Sequence, residues 1–136
     1  MIRCALLLFL LPLATIAAEN LEHNDLVGTW HSYWSSVEGE VNVLTINDDL
    51  SSLFARASVL APDSLQYSWE SPEIMFVDDL AIIEYRDDDE LVYKLVLAGW
   101  KSETTRRLFG QMYMYRDGRI FNGMPIALES SSDGEN

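Results

Sequence analysis

Cysteine and basic residues are scarce in this chain of 136 residues. Cys4 is the one cysteine, so no disulfide can form within the chain. Lysine and arginine number 9 against 22 aspartate and glutamate residues, which gives a formal net charge of −13. A negative field of this size repels phosphate backbones and anionic lipid headgroups. The composition therefore argues against nucleic acid as a partner, while a basic protein remains compatible with it.

The sequence also lacks the short motifs that mark common active sites and metal centres. No serine lies in a Gly-x-Ser-x-Gly elbow, and His23 and His31 do not have the spacing of a zinc site. The acidic run at 87–90 lacks the glycine and the ligand spacing of an EF-hand loop, and it is typical of a solvated hairpin tip. We therefore assign no catalytic residue, no metal ligand and no cofactor, and we expect a protein that is not an enzyme.

The first eighteen residues have the pattern of a secretory signal peptide. Arg3 is their only charge, residues 6–11 are all leucine or phenylalanine, and the segment ends in Ala17 and Ala18. Its 15 residues without a charge are fewer than the roughly 18 to 20 that a membrane-spanning helix needs, so cleavage is favoured over a retained anchor. We predict export to the periplasm or the medium, which leaves a chain with a net charge of −14 and no cysteine.

From Leu26 onward the chain has the pattern of short strands joined by tight turns. Residues 65–69 and 91–97 alternate large apolar side chains with polar or smaller ones, which is the period of a strand with one wet face. Asp117-Gly118 accepts the positive φ of a two-residue hairpin turn and is the strongest local signal. The predicted strands are 27–36, 40–47, 50–60, 64–70, 73–78, 80–86, 90–100, 106–116 and 119–128.

These strands predict an all-β domain over 19–129, followed by a disordered tail over 130–136 that is rich in serine and acidic residues. The absence of a long helical pattern favours an antiparallel up-and-down meander of about eight or nine strands. An open meander would leave two exposed edges, and closing it into a single barrel removes both. We therefore predict a closed barrel.

The first predicted strand opens with Gly28-Thr29-Trp30. A Gly-x-Trp at this place, followed by a meander of this length, resembles the calycin group of β-barrel proteins, to which lipocalins, fatty-acid-binding proteins and avidins belong. The resemblance implies a lipocalin-like barrel that Trp30 plugs at one end, although an ordinary core tryptophan is the alternative. Many members hold a small apolar ligand inside. The chain departs from lipocalins in lacking a Thr-Asp-Tyr element and an amphipathic helix after the last strand.

The predicted inner face is rich in aromatic residues and methionine, which suit an adaptable apolar pocket. We predict that six of these side chains line a ligand cavity. A solid core that the same side chains fill is the alternative, because side chains can just fill a barrel of about eight strands. The six residues are Tyr67, Trp69, Tyr85, Tyr93, Met112 and Met114.

Lys101, Arg106 and Arg107 form a cationic cluster that opposes the charge of the rest of the chain. The strand pattern places the cluster on a hairpin loop. A loop of this kind is a candidate contact for an anion or a partner protein, and a solvated loop is the alternative.

These observations lead to one leading hypothesis and two alternatives. We expect an exported, non-enzymatic β-barrel that binds a small apolar or amphipathic ligand. The first alternative is a protein-binding module, such as an inhibitor of a basic secreted enzyme, because an acidic chain steers a cationic partner toward itself. The second is an enzyme, such as a lyase or isomerase, with its site in the mouth of the barrel.

Overall fold

The computed structural model describes residues 19–32, 38–102 and 105–131. The predicted signal peptide at 1–18 lies outside the described residues, as do the last five residues of the predicted tail. Among the residues described, no helix has the length and apolar character to cross a membrane.

The described residues form ten β-strands and one turn of 3₁₀ helix, so the all-β prediction is confirmed. The 3₁₀ turn, η1, spans His23–Leu26. The strands are β1 (Glu19–Asn20), β2 (Gly28–Ser32), β3 (Glu40–Ile46), β4 (Ser52–Ser58), β5 (Ala61–Ser71), β6 (Met75–Val77), β7 (Leu80–Asp87), β8 (Glu90–Lys101), β9 (Thr105–Arg116) and β10 (Arg119–Ser131).

Nine of these strands follow one another in a single antiparallel sheet, in the order β5-β4-β3-β2-β10-β9-β8-β7-β6. All neighbours in this order except β2 and β10 are consecutive in the chain. The sheet therefore consists of two meanders, which are joined where Glu129 of β10 pairs with His31 of β2. The short β1 lies off this path and pairs with Trp100 and Lys101 of β8, beyond the stretch of β8 that pairs with β7.

The prediction of a closed barrel is wrong, because the sheet ends at β5 on one side and at β6 on the other. Pro72 follows β5 directly and has no N–H for a ladder, and β6 is only three residues long. Side chains bridge the gap instead. The Ser52 hydroxyl lies 2.9 Å from that of Tyr85, and the ring centroids of Trp69 and Tyr93 are 4.6 Å apart. The sheet therefore curls around a shared core without closing.

One face of the curled sheet supplies this core, as the alternation of the strands requires. Its largest side chains are fully buried, and the region between the two meanders is filled from both. Burial raises the pKa of Tyr85, while its hydrogen bond with Ser52 acts in the opposite direction. The fully buried members are Trp30, Leu44, Phe54, Ile83, Tyr85, Leu95, Leu97, Leu108, Met112 and Leu128.

The predicted hairpin signals mark real turns. Asp117 and Gly118 have φ values of 50° and 69°, and they connect the paired residues Arg116 and Arg119. The acidic run at 87–90 is also a hairpin tip, with positive φ at both of its central residues.

The last strand continues to Ser131, so it includes the first two residues of the predicted tail. The backbone there still pairs with the start of β9.

Candidate functional site

Trp30 is buried at the end of the core that η1 covers. Its ring is fully buried, and its Nε1 donates a hydrogen bond of 2.8 Å to the carbonyl oxygen of Leu26. The guanidinium carbon of Arg106 lies 5.3 Å from the ring centroid, within the range of a cation–π contact. Gly28 has a φ of 128°, and a Cβ at that position would lie 3.4 Å from Arg106 Nη2. The tryptophan of the Gly-x-Trp therefore packs against Arg106, and the glycine permits the positive φ two residues before it.

Two cations fasten η1 to the sheet. Lys101 Nζ donates to Asp25 Oδ2 at 2.8 Å. Arg106 Nη1 donates to the carbonyl oxygens of Asp25 at 2.8 Å and Val27 at 3.2 Å, and its Nη2 donates to Ser130 Oγ at 3.2 Å. The hydrogen bond from Lys101 outweighs partial burial and holds the pKa of Asp25 below its ordinary value. We name Asp25, Trp30, Lys101 and Arg106 the plug end.

The predicted cationic cluster is therefore not a single loop site. Lys101 is the last residue of β8 and Arg106 lies in β9, and both have partners within the chain. Arg107 points to the other face of β9, where it lies 3.4 Å from a carboxylate oxygen of Glu129 and 5.4 Å from the ring centroid of Trp100. Of the three, Arg107 is the one that is half exposed.

The six predicted cavity residues lie on the inner face but differ widely in burial. Tyr85, Met112 and Met114 are buried, Trp69 and Tyr93 are half-buried, and Tyr67 is 61 % exposed. The Phe54 ring packs against three of them, with centroid distances of 5.6 Å to Tyr85, 5.5 Å to Tyr93 and 6.4 Å to Trp69. This packing favours the filled-core alternative for the middle of the sheet.

A cleft of about 540 Å³ lies between η1 and the β6–β7 hairpin. We name it the η1 cleft. Side chains of the core form its floor, so it reaches the interior of the protein. Acidic residues form its rim, and His23 stacks there on Phe76 with ring centroids 3.9 Å apart. The floor consists of Leu26, Ala81, Leu97 and Leu108, and the acidic rim consists of Glu22, Asp78 and Asp79.

Sequence reasoning missed the η1 cleft because two short elements form it. The segment before Leu26 has no hydrophobic period, and β6 has three residues. The available signal was the acidic pair Asp78-Asp79, which is the two-residue turn of the β6–β7 hairpin. Within the described ranges, no three side chains of histidine, cysteine, aspartate or glutamate are placed to hold a metal ion.

The end of the sheet opposite the plug end carries an ion pair on the inner face. Arg56 Nη1 lies 3.8 Å from Glu40 Oε2, which is too long for a hydrogen bond. Arg56 Nε and Glu40 Oε2 are both buried and have no hydrogen-bond partner among the described residues. The guanidinium carbon of Arg56 lies 5.8 Å from the ring centroid of Tyr93. We name Glu40 and Arg56 the mouth pair.

No protein-family model, no curated protein and no solved structure matches this chain. The resemblance to calycins therefore rests on Gly28-Thr29-Trp30 and the strand pattern. Every assignment of a site rests on the geometry of the chain itself.

Proposed function

We propose that this chain is an exported, non-enzymatic, lipocalin-like protein that binds a small apolar or amphipathic ligand in the η1 cleft. The observation that carries the proposal is a cleft of about 540 Å³ with a floor of core side chains. Ligand sites typically have volumes of about 300–1,000 Å³, apolar walls and a few polar groups. The η1 cleft has a volume in this range and an apolar floor, and its rim is polar.

The chemistry of the cleft indicates how such a ligand would lie. Leu97 and Leu108 are each only 1 % exposed, so the cleft ends at the packed core, and an apolar ligand would contact the partly buried Leu21 and Phe76 above it. Each 100 Å² of apolar ligand surface buried there would contribute roughly 2.5 kcal/mol before the costs of binding. A polar group of the ligand would remain at the rim, beside Asp78 and Asp79.

A cleft-filling variant tests the proposal. Ala81 lies in the floor, and Ala81→Leu adds three carbons to the cleft space. The uncharged fluorescent probe N-phenyl-1-naphthylamine should bind the wild type and lose at least tenfold in affinity for Ala81→Leu. The matched control is Ala98→Leu, on the neighbouring strand β8 but outside the lining of the cleft. Equal binding to the two variants, or no binding to the wild type, would overturn the proposal.

Export is proposed on the pattern of the first eighteen residues. The protein isolated from the exported fraction of its own host should begin at or near Glu19. N-terminal sequencing together with intact mass provides the measurement. A chain that retains Met1 in a membrane fraction would contradict export.

A further inference from the structure

We propose that the mouth pair is a second binding site, which takes an uncharged ligand that carries a primary carboxamide on an aromatic body. Arg56 and Glu40 lie on the inner face at the end of the sheet opposite the η1 cleft. Their backbones meet through the β3–β4 ladder, in which Glu40 pairs with Ser58 and Arg56 with Asn42. This site is independent of the η1 cleft and does not rest on the proposed function.

The mouth pair is incompletely hydrogen-bonded. A guanidinium has five N–H donors, and a carboxylate oxygen has two acceptor positions. Within the described part of the chain, Arg56 Nε and Glu40 Oε2 nevertheless have no hydrogen-bond partner, although both atoms are buried. The side chains retain only 16 % and 18 % exposure. A buried polar atom without a partner is destabilising, and a water molecule or a ligand that a small displacement of the two side chains admits would satisfy it.

One ligand group, a primary carboxamide, can satisfy both atoms at once. The mouth pair offers an unsatisfied donor on Arg56 and an unsatisfied acceptor on Glu40. A primary carboxamide carries an acceptor and a donor side by side, so its oxygen accepts from Arg56 and its NH₂ donates to Glu40. A carboxylate ligand would bond Arg56 but would add a negative charge beside Glu40, in a chain whose net charge is already −13. An uncharged amide leaves the charge of the pair balanced.

Aromatic side chains lie beside the mouth pair. Arg56 lies over the ring of Tyr93, whose centroid is 4.6 Å from that of Trp69. Tyr67, opposite Arg56 in the β4–β5 ladder, is 61 % exposed. These rings provide an apolar contact for a planar body that is attached to the amide.

Calorimetric titration with three probes of the same shape tests the inference. The probes are 2-naphthamide, 2-acetonaphthone, which has the acceptor but no donor, and 2-naphthoate, which has a charge. The wild type should bind the amide at least tenfold more tightly than either of the others. Equal affinity for the amide and the ketone would overturn the inference, because the NH₂ group of the amide would then gain nothing from Glu40. Tighter binding of naphthoate would overturn it in favour of a site for anions.

Two double variants test whether the preference for the amide over the ketone depends on the mouth pair. Glu40→Leu combined with Arg56→Met replaces the pair with apolar side chains of similar volume, a change that often preserves folding. This double variant should lose the preference for the amide over the ketone. The matched control is Glu129→Leu with Arg107→Met, which removes the outer-face pair and should retain the preference. Loss of the preference in the control variant would contradict the assignment to Arg56 and Glu40.

A single substitution provides a second test of the acceptor on Glu40 if the first double variant does not fold. Glu40→Gln removes the charge but leaves an acceptor oxygen on the side chain, so this variant should keep at least a threefold preference for the amide over the ketone. Equal affinity of the variant for the two probes would contradict the role of the acceptor at this position.

Discussion

The two ends of the inner face each contain an arginine, and the two arginines are used differently. Arg106 at the plug end donates hydrogen bonds to Asp25, Val27 and Ser130 and lies over the ring of Trp30. Arg56 at the mouth lies 3.8 Å from its carboxylate, and no described residue accepts a hydrogen bond from its Nε. A buried arginine stabilises a fold only when acceptors surround it. We therefore assign Arg106 to the stability of the fold, whereas Arg56 contributes little to it.

The difference follows from the elements at each end. At the plug end, η1 and the start of β2 present backbone carbonyl oxygens, and Arg106 takes the place of the donors that these groups lack. At the mouth, β3 and β4 satisfy each other's backbone through their ladder, so no carbonyl of that ladder needs Arg56. The two arginines therefore differ in what they contribute to the stability of the fold.

Replacing Trp30 should give the largest loss of stability. Trp30→Ala removes a fully buried ring and the cation–π partner of Arg106, and we expect a loss of about 3–5 kcal/mol in the free energy of unfolding. Trp100→Ala is the matched control, because Arg107 covers that ring on the outer face, where it is only half-buried. Urea denaturation of both variants checks the comparison. Equal losses would show that the plug end is not special.

Gly28 should be the next most sensitive position. Gly28→Ala imposes a side chain at a φ of 128° and places its Cβ 3.4 Å from Arg106, so we expect a loss of about 2–3 kcal/mol. Gly39→Ala also occurs at positive φ, 81°, but no described atom lies within 4 Å of its Cβ. Its expected loss is about 1 kcal/mol. Thermal unfolding of the two variants measures the difference, and a smaller loss for Gly28→Ala would contradict the strain expected at a φ of 128°.

Acid should weaken the plug end by a smaller amount. The pKa of Asp25 is lowered in the folded protein, so the unfolded chain binds more protons as the pH falls. The stability from Asp25 is fully present above its ordinary pKa, near 3.8, and is lost as the pH falls through the lower folded value. Lys101→Met should reduce that part of the acid dependence, because Lys101 is the largest of the groups that lower this pKa, and should lower stability at neutral pH by roughly 0.2–1 kcal/mol.

The control for this measurement is Lys94→Met on the outer face. Burial acts to raise the pKa of Glu84, but hydrogen bonds from Lys94 and Arg86 outweigh it, and this pKa too is lowered. Because Lys94 pairs with Glu84, Lys94→Met should change the contribution of Glu84 and leave that of Asp25 unchanged. Unfolding free energies between about pH 2 and pH 7 separate the two carboxylates. An unchanged acid profile in Lys101→Met would contradict the pairing with Asp25.

Local patterns predicted most of the strands, because alternation and turn residues act over a few neighbours. The predicted strand 106–116 differs from β9 by one residue, and Asp117-Gly118 is the turn that follows it. The same alternation could have placed Arg106 correctly. Counting back in twos from Met112 through Leu108 puts Arg106 on the inner face and not in a solvated loop.

The gap between β5 and β6 could not be predicted from alternation and turn residues. Closure depends on how far β5 lies from β7, which is a relation between two meanders and not a property of either. The η1 cleft has the same origin, because its floor comes from β7, β8 and β9 and its rim from η1 and the β6–β7 turn. Such features arise from packing between distant segments.

A comparison of unfolding free energies at the two ends tests the account most directly. The variants are Arg106→Gln at the plug end and the double variant Glu40→Gln with Arg56→Gln at the mouth, measured in urea at neutral pH. Arg106→Gln leaves backbone carbonyl oxygens without their donor, and we predict a loss of about 2 kcal/mol. The mouth variant exchanges a loose ion pair for neutral amides, and we predict a change within about 0.5 kcal/mol of the wild type. A mouth variant that loses as much stability as Arg106→Gln would contradict this difference between the two arginines.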